Sequence, residues 1–250
     1  VASAVGRENG VAKDFEHYEL IPSNKFMSSP MAPTSLRIRS RLNVLNGLLW
    51  RAETLHKYLL AMNDGLGPSG GPSILRRLKQ VCDGAREPIF VLANFFDPHS
   101  PYHPPKRHWR KRLTAWEYLA AMKVNLGHWN NVRRSKALTE RNRHALRRLY
   151  ESEVAYVDEL IGDFVDYLKS AKAYHDALII VTADHGESLG EHDLLGHWHA
   201  LYEDLVHVPL IIKWPGSARE GRISRLVQNV DILPTLLAHL DIEEPPHIEG

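Results

Sequence analysis

Residues 177–182, ALIIVT, form an apolar run that stops at Asp184-His185-Gly186. A short aliphatic and β-branched run bounded by a turn reads as a buried strand. Open α/β sheets gather their chemistry where strands end, so a carboxylate beside an imidazole at this point marks a candidate site. Glu187, Glu191, His192, His197 and His199 follow closely, and a second strand-like run, residues 208–213, is closed by Pro215-Gly216. Asp supplies a hard anionic oxygen and His a neutral nitrogen, a pair suited to a divalent cation. Gly186 is expected to let the backbone turn tightly beneath the ion. On spacing alone a surface turn rich in His and Asp remains open, because two adjacent ligands are not a coordination sphere.

The 250 residues suffice for a single α/β domain with a sizeable core. A formal net charge of +1 argues against a broad phosphate-binding surface, and so against nucleic acid as a partner. The basic run at 106–112, KRHWRKR, reads as a solvated loop or helix start rather than a nucleic-acid patch. No apolar run approaches a membrane span. Cys82, the single cysteine, rules out an internal disulfide. Nothing in the sequence sets a compartment or an oligomeric state.

Residues 1–37 show weak periodicity, and Pro22, Pro30 and Pro33 with several serines read as irregular structure, whereas leucines at three- and four-residue spacing predict a helix over 36–62. Ser73 is a candidate N-cap for a helix through Val81. Residues 88–96, PIFVLANFF, read as the next buried strand, with His99 carried in the proline loop at its end and aimed above the sheet. Residues 114–127 are expected to be helical, within a cap or insertion over 106–137. Thr139 is a candidate N-cap for a long amphipathic helix reaching Ala171, with Leu146, Tyr150, Val154, Val157, Ile161, Phe164 and Leu168 on its apolar face. Strand, crossover helix and strand then predict a parallel βαβ unit. Residues 227–230 read as a short strand, and Asp231 as the cap of a helix over 232–240 with Pro234 in its first turn.

DHGESLGEH, GHWHALYE and VPLIIKWPG, preceded by FFDPHSPYHPP at residues 95–105, resemble in order the signature blocks of the sulfatase family of the alkaline-phosphatase superfamily. DILPT at 231–235 resembles a further block. The resemblance covers roughly residues 87–250. It implies an α/β fold with an alkaline-phosphatase-like, central and mostly parallel sheet flanked by helices. It implies a metal-dependent hydrolase of small-molecule or carbohydrate sulfate esters, with Asp184 and His185 as metal ligands. Calcium is the metal that a sulfatase implies, and the nitrogen ligand keeps manganese or zinc open. His99 matches the histidine that contacts the ester, as binder or acid. His197 stands where many members carry a lysine, a departure that offers a shorter group able to be neutral near pH 7. His199 matches a further substrate-binding histidine. Glu187, Glu191 and His192 are expected to cap or orient the loop.

The family's nucleophile is a formylglycine made from cysteine in a Cys-x-Pro/Ala-x-Arg motif. Cys82-Asp83-Gly84-Ala85-Arg86 imitates that spacing, but Gly84 stands where Pro or Ala belongs. Cys82 therefore reads as a structural thiol. The paired aspartates of the family's first strand have no counterpart either, and the chain opens on Val1. Residues 1–250 are thus expected to be a partial catalytic domain, inactive alone, with the nucleophile outside it. Two alternatives stand beside the sulfatase reading: a phosphodiesterase or phosphonate monoester hydrolase on the same fold, and a non-catalytic degenerate member.

Overall fold

The computed structural model describes residues 70–86, 88–131, 138–198, 200–216 and 220–250. The expected helix over 36–62, the irregular segment before it and His199 lie outside the described residues. In chain order the elements are α1 (Gly71–Gly84), α2 (Lys106–Trp109), α3 (Ala115–Asn131), α4 (Glu140–Ser170), β1 (Ile179–Thr182), β2 (Ser188–Leu189), β3 (Leu195–Gly196), α5 (Glu203–Val206), β4 (Leu210–Lys213) and α6 (Ile232–His239). They fall into two compact units. The first comprises the described part of Val1–Tyr174 with Glu187–Trp198; the second comprises His175–Gly186 with the described part of His199–Gly250.

The first unit is helical, and α4 is its platform. Thr139 caps α4 as the sequence predicts, its side chain accepting from the Asn142 amide. The buried face differs from the expected one. Ala145, Leu146, Leu149, Tyr156, Leu160 and Leu168 turn inward, whereas Val154 is 44% exposed. The stripe runs instead through Ser152 and Glu153, both buried. The Ser152 hydroxyl donates to the Arg148 carbonyl, and Glu153 accepts from the His103 amide at 2.5 Å. Hydrogen bonds let polar residues occupy a core face that apolar spacing assigns elsewhere.

The helices α3 and α4 enclose the main core with the loop between α2 and α3 and the β2/β3 hairpin. Tyr102, Trp109, Leu113, Tyr118, Ala121, Met122, Leu146, Leu149, Leu189 and Leu195 pack in it, with the Trp109 and Tyr118 rings stacked at 4.2 Å. Leu75, Tyr156 and Leu160 form a smaller cluster between α1 and α4. Thr114 and Glu117 exchange bonds at the start of α3, a reciprocal cap that fixes its entry. The basic run starts the short helix α2, burying His108 and Trp109 while the Arg107 guanidinium meets Glu159 at 2.6 Å.

Several local expectations are corrected. Helix α1 begins at Gly71, with Pro72 in the first turn and Gly70 at the cap, so Ser73 lies inside the helix. Among the described residues, 88–96 are not assigned to a strand, and Phe90 and Leu92 are mostly exposed. An apolar run becomes a strand only when a partner ladders with it, which periodicity cannot reveal.

In the second unit β1 pairs with β4 in antiparallel register, Ile180 opposite Ile212 and Val181 opposite Ile211. The expected βαβ unit is therefore not seen among the described residues. Residues 229–231 form a 3-10 turn rather than following a strand. Asp231 accepts from the Gln228 amide to close that turn, and does not cap α6 with its side chain. Asn229 ties this segment to β1, donating to the Ala183 carbonyl and accepting from Thr182.

Two substitutions test this packing. Leu149→Ala, at a fully buried position, is expected to lower the first unit's stability by about 2–5 kcal/mol in urea denaturation. The Gly186 amide donates to the Leu205 carbonyl at 2.7 Å, and a Cβ at Gly186 would overlap the Asp204 carbonyl oxygen. Close backbone approach, rather than a special dihedral, is what excludes a side chain there. Gly186→Ala is expected to cost about 1–3 kcal/mol, read as a lower midpoint for tryptophan fluorescence of Trp214 in the second unit.

Candidate active site

The proline loop after residue 96 and the β2/β3 hairpin bring two of the expected site residues together in the first unit. The loop is held from behind. The Tyr102 amide donates to the Asn125 side-chain oxygen at 2.8 Å, and the Asn125 amide group donates back to the Tyr102 carbonyl at 2.7 Å. Together with the bond from His103 to Glu153, these clamp the chain just beyond His99. The Ser100-Pro101 peptide is cis. The His99 ring stacks on Phe96 at 4.3 Å, and its Nδ1 lies 2.6 Å from the Ser100 carbonyl oxygen. A carbonyl only accepts, so Nδ1 carries the proton and Nε2 carries the lone pair.

The hairpin supplies His197. Gly190, at φ 117°, opens its turn, and Glu191–Asp193 form one 3-10 turn with His192 and Asp193 in left-handed conformations. Arg147 of α4 grips Glu191 at 2.6 Å, and Arg143 reaches Asp193 at 3.4 Å. Burial raises the Glu191 carboxyl, but the Glu191 and Leu189 amides and the Arg147 guanidinium outweigh it and hold that group below its ordinary value. Glu191 thus anchors the loop, as expected for an orienting residue, and His192 is exposed on the turn.

Ser188 pairs with Gly196 and Leu189 with Leu195. The same antiparallel register puts Glu187 opposite His197. Their side chains are only 4% and 7% exposed, and His197 Nδ1 lies 3.3 Å from a Glu187 oxygen. The His197 ring stands edge-on to His99, with centroids 5.1 Å apart, and stacks on Trp198. Tyr102 also donates its hydroxyl to Glu187; burial first, then the Glu187 charge, push its phenol well above its ordinary value. Sequence reading missed Tyr102, Asn125 and Glu153. The facing of Glu187 and His197 did have a signal in the sequence, since a turn centred on residue 192 pairs 187 with 197.

Asp184 and His185 belong to the second unit, immediately after β1. His185 Nδ1 lies 2.7 Å from the Gly186 carbonyl, which assigns the proton to Nδ1 and the lone pair to Nε2, the nitrogen able to ligate a metal. Asp184 uses one oxygen to accept from the His185 amide at 3.0 Å, while its other oxygen lies 3.7 Å from His185 Nε2. That separation suits two donors on one ion of ordinary oxygen and nitrogen bond lengths. Among the described residues no group of three or more His, Cys, Asp or Glu side chains converges as a metal site. The residues present therefore fit an ion as one edge of its sphere. The Cys82 thiol sits in the last turn of α1, and burial followed by the nearby Asp83 charge raises it, consistent with a structural thiol.

Residues 73–242 match the family model described as Sulfatase. Choline-sulfatase of Rhizobium meliloti (strain 1021) is 31% identical over 176 residues, 65% of this chain and 34% of that protein. Arylsulfatase of Clostridium perfringens (strain 13 / Type A) is 28% identical over 182 residues, 66% of this chain and 36% of that protein. The chain thus spans about a third of the length of these curated relatives. Among solved structures, the phosphonate monoester hydrolase of Agrobacterium radiobacter superposes with a TM-score of 0.61 at 25% identity, covering 72% of this chain and 40% of that one. The fold is accordingly the alkaline-phosphatase-like α/β class, and the chain belongs to the sulfatase family.

Proposed function

We propose that this protein hydrolyses sulfate esters with the help of a divalent cation. The observation that carries the reading is the His99–His197 pair, two imidazoles 5.1 Å apart, each with Nδ1 engaged by an acceptor. Two imidazoles held side by side suit a small tetrahedral anion, gripping its oxygens when protonated and delivering a proton to the leaving oxygen. His99 is assigned as substrate contact and acid, and His197 as its partner in place of the lysine common in the family. His199 is assigned to the substrate side on the family resemblance.

Asp184 Oδ2 and His185 Nε2 would hold the cation, with calcium as the leading candidate and manganese or zinc behind it. When bound, such an ion neutralises charge on the ester oxygens and helps hold the nucleophile. The nucleophile assigned to the reaction is a formylglycine outside residues 1–250. The substrate class proposed is a small-molecule or carbohydrate sulfate ester, in line with relatives named choline-sulfatase, arylsulfatase and N-acetylglucosamine-6-O-sulfatase.

A second reading, phosphonate monoester hydrolysis, is favoured by one specific observation. The solved phosphonate monoester hydrolase shares the fold at a TM-score of 0.61, and the Asp184-His185 pair is of the kind that the resemblance associates with such enzymes.

Parallel assays of the full-length protein on an aryl sulfate and an aryl phosphonate monoester separate the two. Metal-dependent turnover with kcat/KM at least tenfold higher on the sulfate supports the first reading; the reverse order favours the second, and no turnover of either contradicts both. Chelation is expected to abolish activity and added calcium or manganese to restore it, with Asp184→Asn raising the metal concentration needed for half-activation about tenfold or more. His99→Ala is expected to lower kcat/KM by about a hundredfold or more, measured as initial rates.

A further inference from the structure

Glu187 is not among the residues assigned above to ester or metal, yet it is enclosed beside the histidine pair. The hairpin register that joins Ser188 to Gly196 makes it face His197. Its oxygen stands 3.3 Å from His197 Nδ1, and the Tyr102 hydroxyl donates to the same carboxylate. Tyr102 is in turn immobilised through its backbone by Asn125, and its ring meets Tyr150 edge-on at 5.4 Å. A carboxylate removed from water is costly unless donors surround it. Here the donors are one phenol, fixed by the core, and one imidazole. The carboxylate therefore has little freedom, and passes that rigidity to the ring it contacts.

We propose that Glu187, locked by Tyr102, is the positioning residue of His197: its carboxylate accepts from Nδ1 and fixes the ring, so that Nε2 is the nitrogen offered to the ester. A lysine at position 197 would be a freely rotating point charge. An imidazole offers one usable nitrogen only if its other nitrogen is held, and Glu187 supplies that hold. The importance for turnover rests on the functional reading of His197; the Glu187–His197 geometry does not.

The test is NMR of histidine ring nitrogens in the full-length protein at pH 8, where an ordinary imidazole is neutral, combined with steady-state kinetics. His197 is expected as the Nδ1–H tautomer, with that proton slow to exchange with water. Glu187→Gln, which replaces a charged acceptor by a weaker neutral one, is expected to speed exchange about tenfold or more. Its kcat on the aryl sulfate should fall about tenfold to a hundredfold, with KM changed less than about threefold. Tyr102→Phe, which preserves the packed ring, should move exchange and kcat in the same direction by less. An Nε2–H tautomer in the wild type, or exchange unchanged in both variants, overturns the proposal. A slow-exchanging Nδ1–H that responds to both variants, in a protein that turns over no sulfate ester, upholds the positioning and sinks the functional reading instead.

Discussion

A carboxylate buried in the middle of a long helix organises the first unit. Glu153 of α4 is fully enclosed and accepts from the His103 amide. A buried acceptor without its donor costs about 1–3 kcal/mol, more for a charged one, so the loop carrying His99 is bound to the helix by the need to satisfy that group. Asn125 of α3 makes the complementary bond pair to Tyr102. Two helices thus grip consecutive residues of one irregular loop. Irregular backbone becomes a usable scaffold when its polar groups are paired in this way.

The hairpin is fastened to the same helix by charge. Arg143 and Arg147 stand one turn apart on α4 and meet Asp193 and Glu191 in the turn. These pairs are partly exposed, and each is worth about 1 kcal/mol or less; their contribution is geometric. Glu191 also accepts from the Leu189 amide at 2.6 Å, so the turn is closed from within and tethered from without. Register then delivers Glu187 opposite His197, and the imidazole inherits its orientation from the strand pair.

Much of this was legible in the sequence, and the rest was hidden for physical reasons. The signature blocks marked His99, His197, Asp184 and His185, because their residue types and order are specific. Thr139 announced the start of α4, since a capping side chain acts on amides three residues away. The buried face of α4 was only half legible: Leu146 and Leu168 stood out, but Glu153 and Ser152 replaced Val154 in the core because distant and local partners satisfy them. Residues 88–96 look like a strand by composition, yet pairing is a property of two segments. The antiparallel partnership of β1 and β4 was missed for the same reason. Asn125 and Tyr102 carried no signal, because an amide and a phenol are common in any helix or loop.

In the proposed site His99 and His197 form one anion-gripping pair with Nε2 turned to the ester. A crystal structure of the full-length protein bound to a non-hydrolysable aryl sulfate analogue tests it most directly. Sulfate oxygens are expected within about 3.2 Å of both Nε2 atoms, with both Nδ1 atoms still bonded to the Ser100 carbonyl and to Glu187. A sulfate group bound away from the two rings, or either ring turned to present Nδ1, would contradict it.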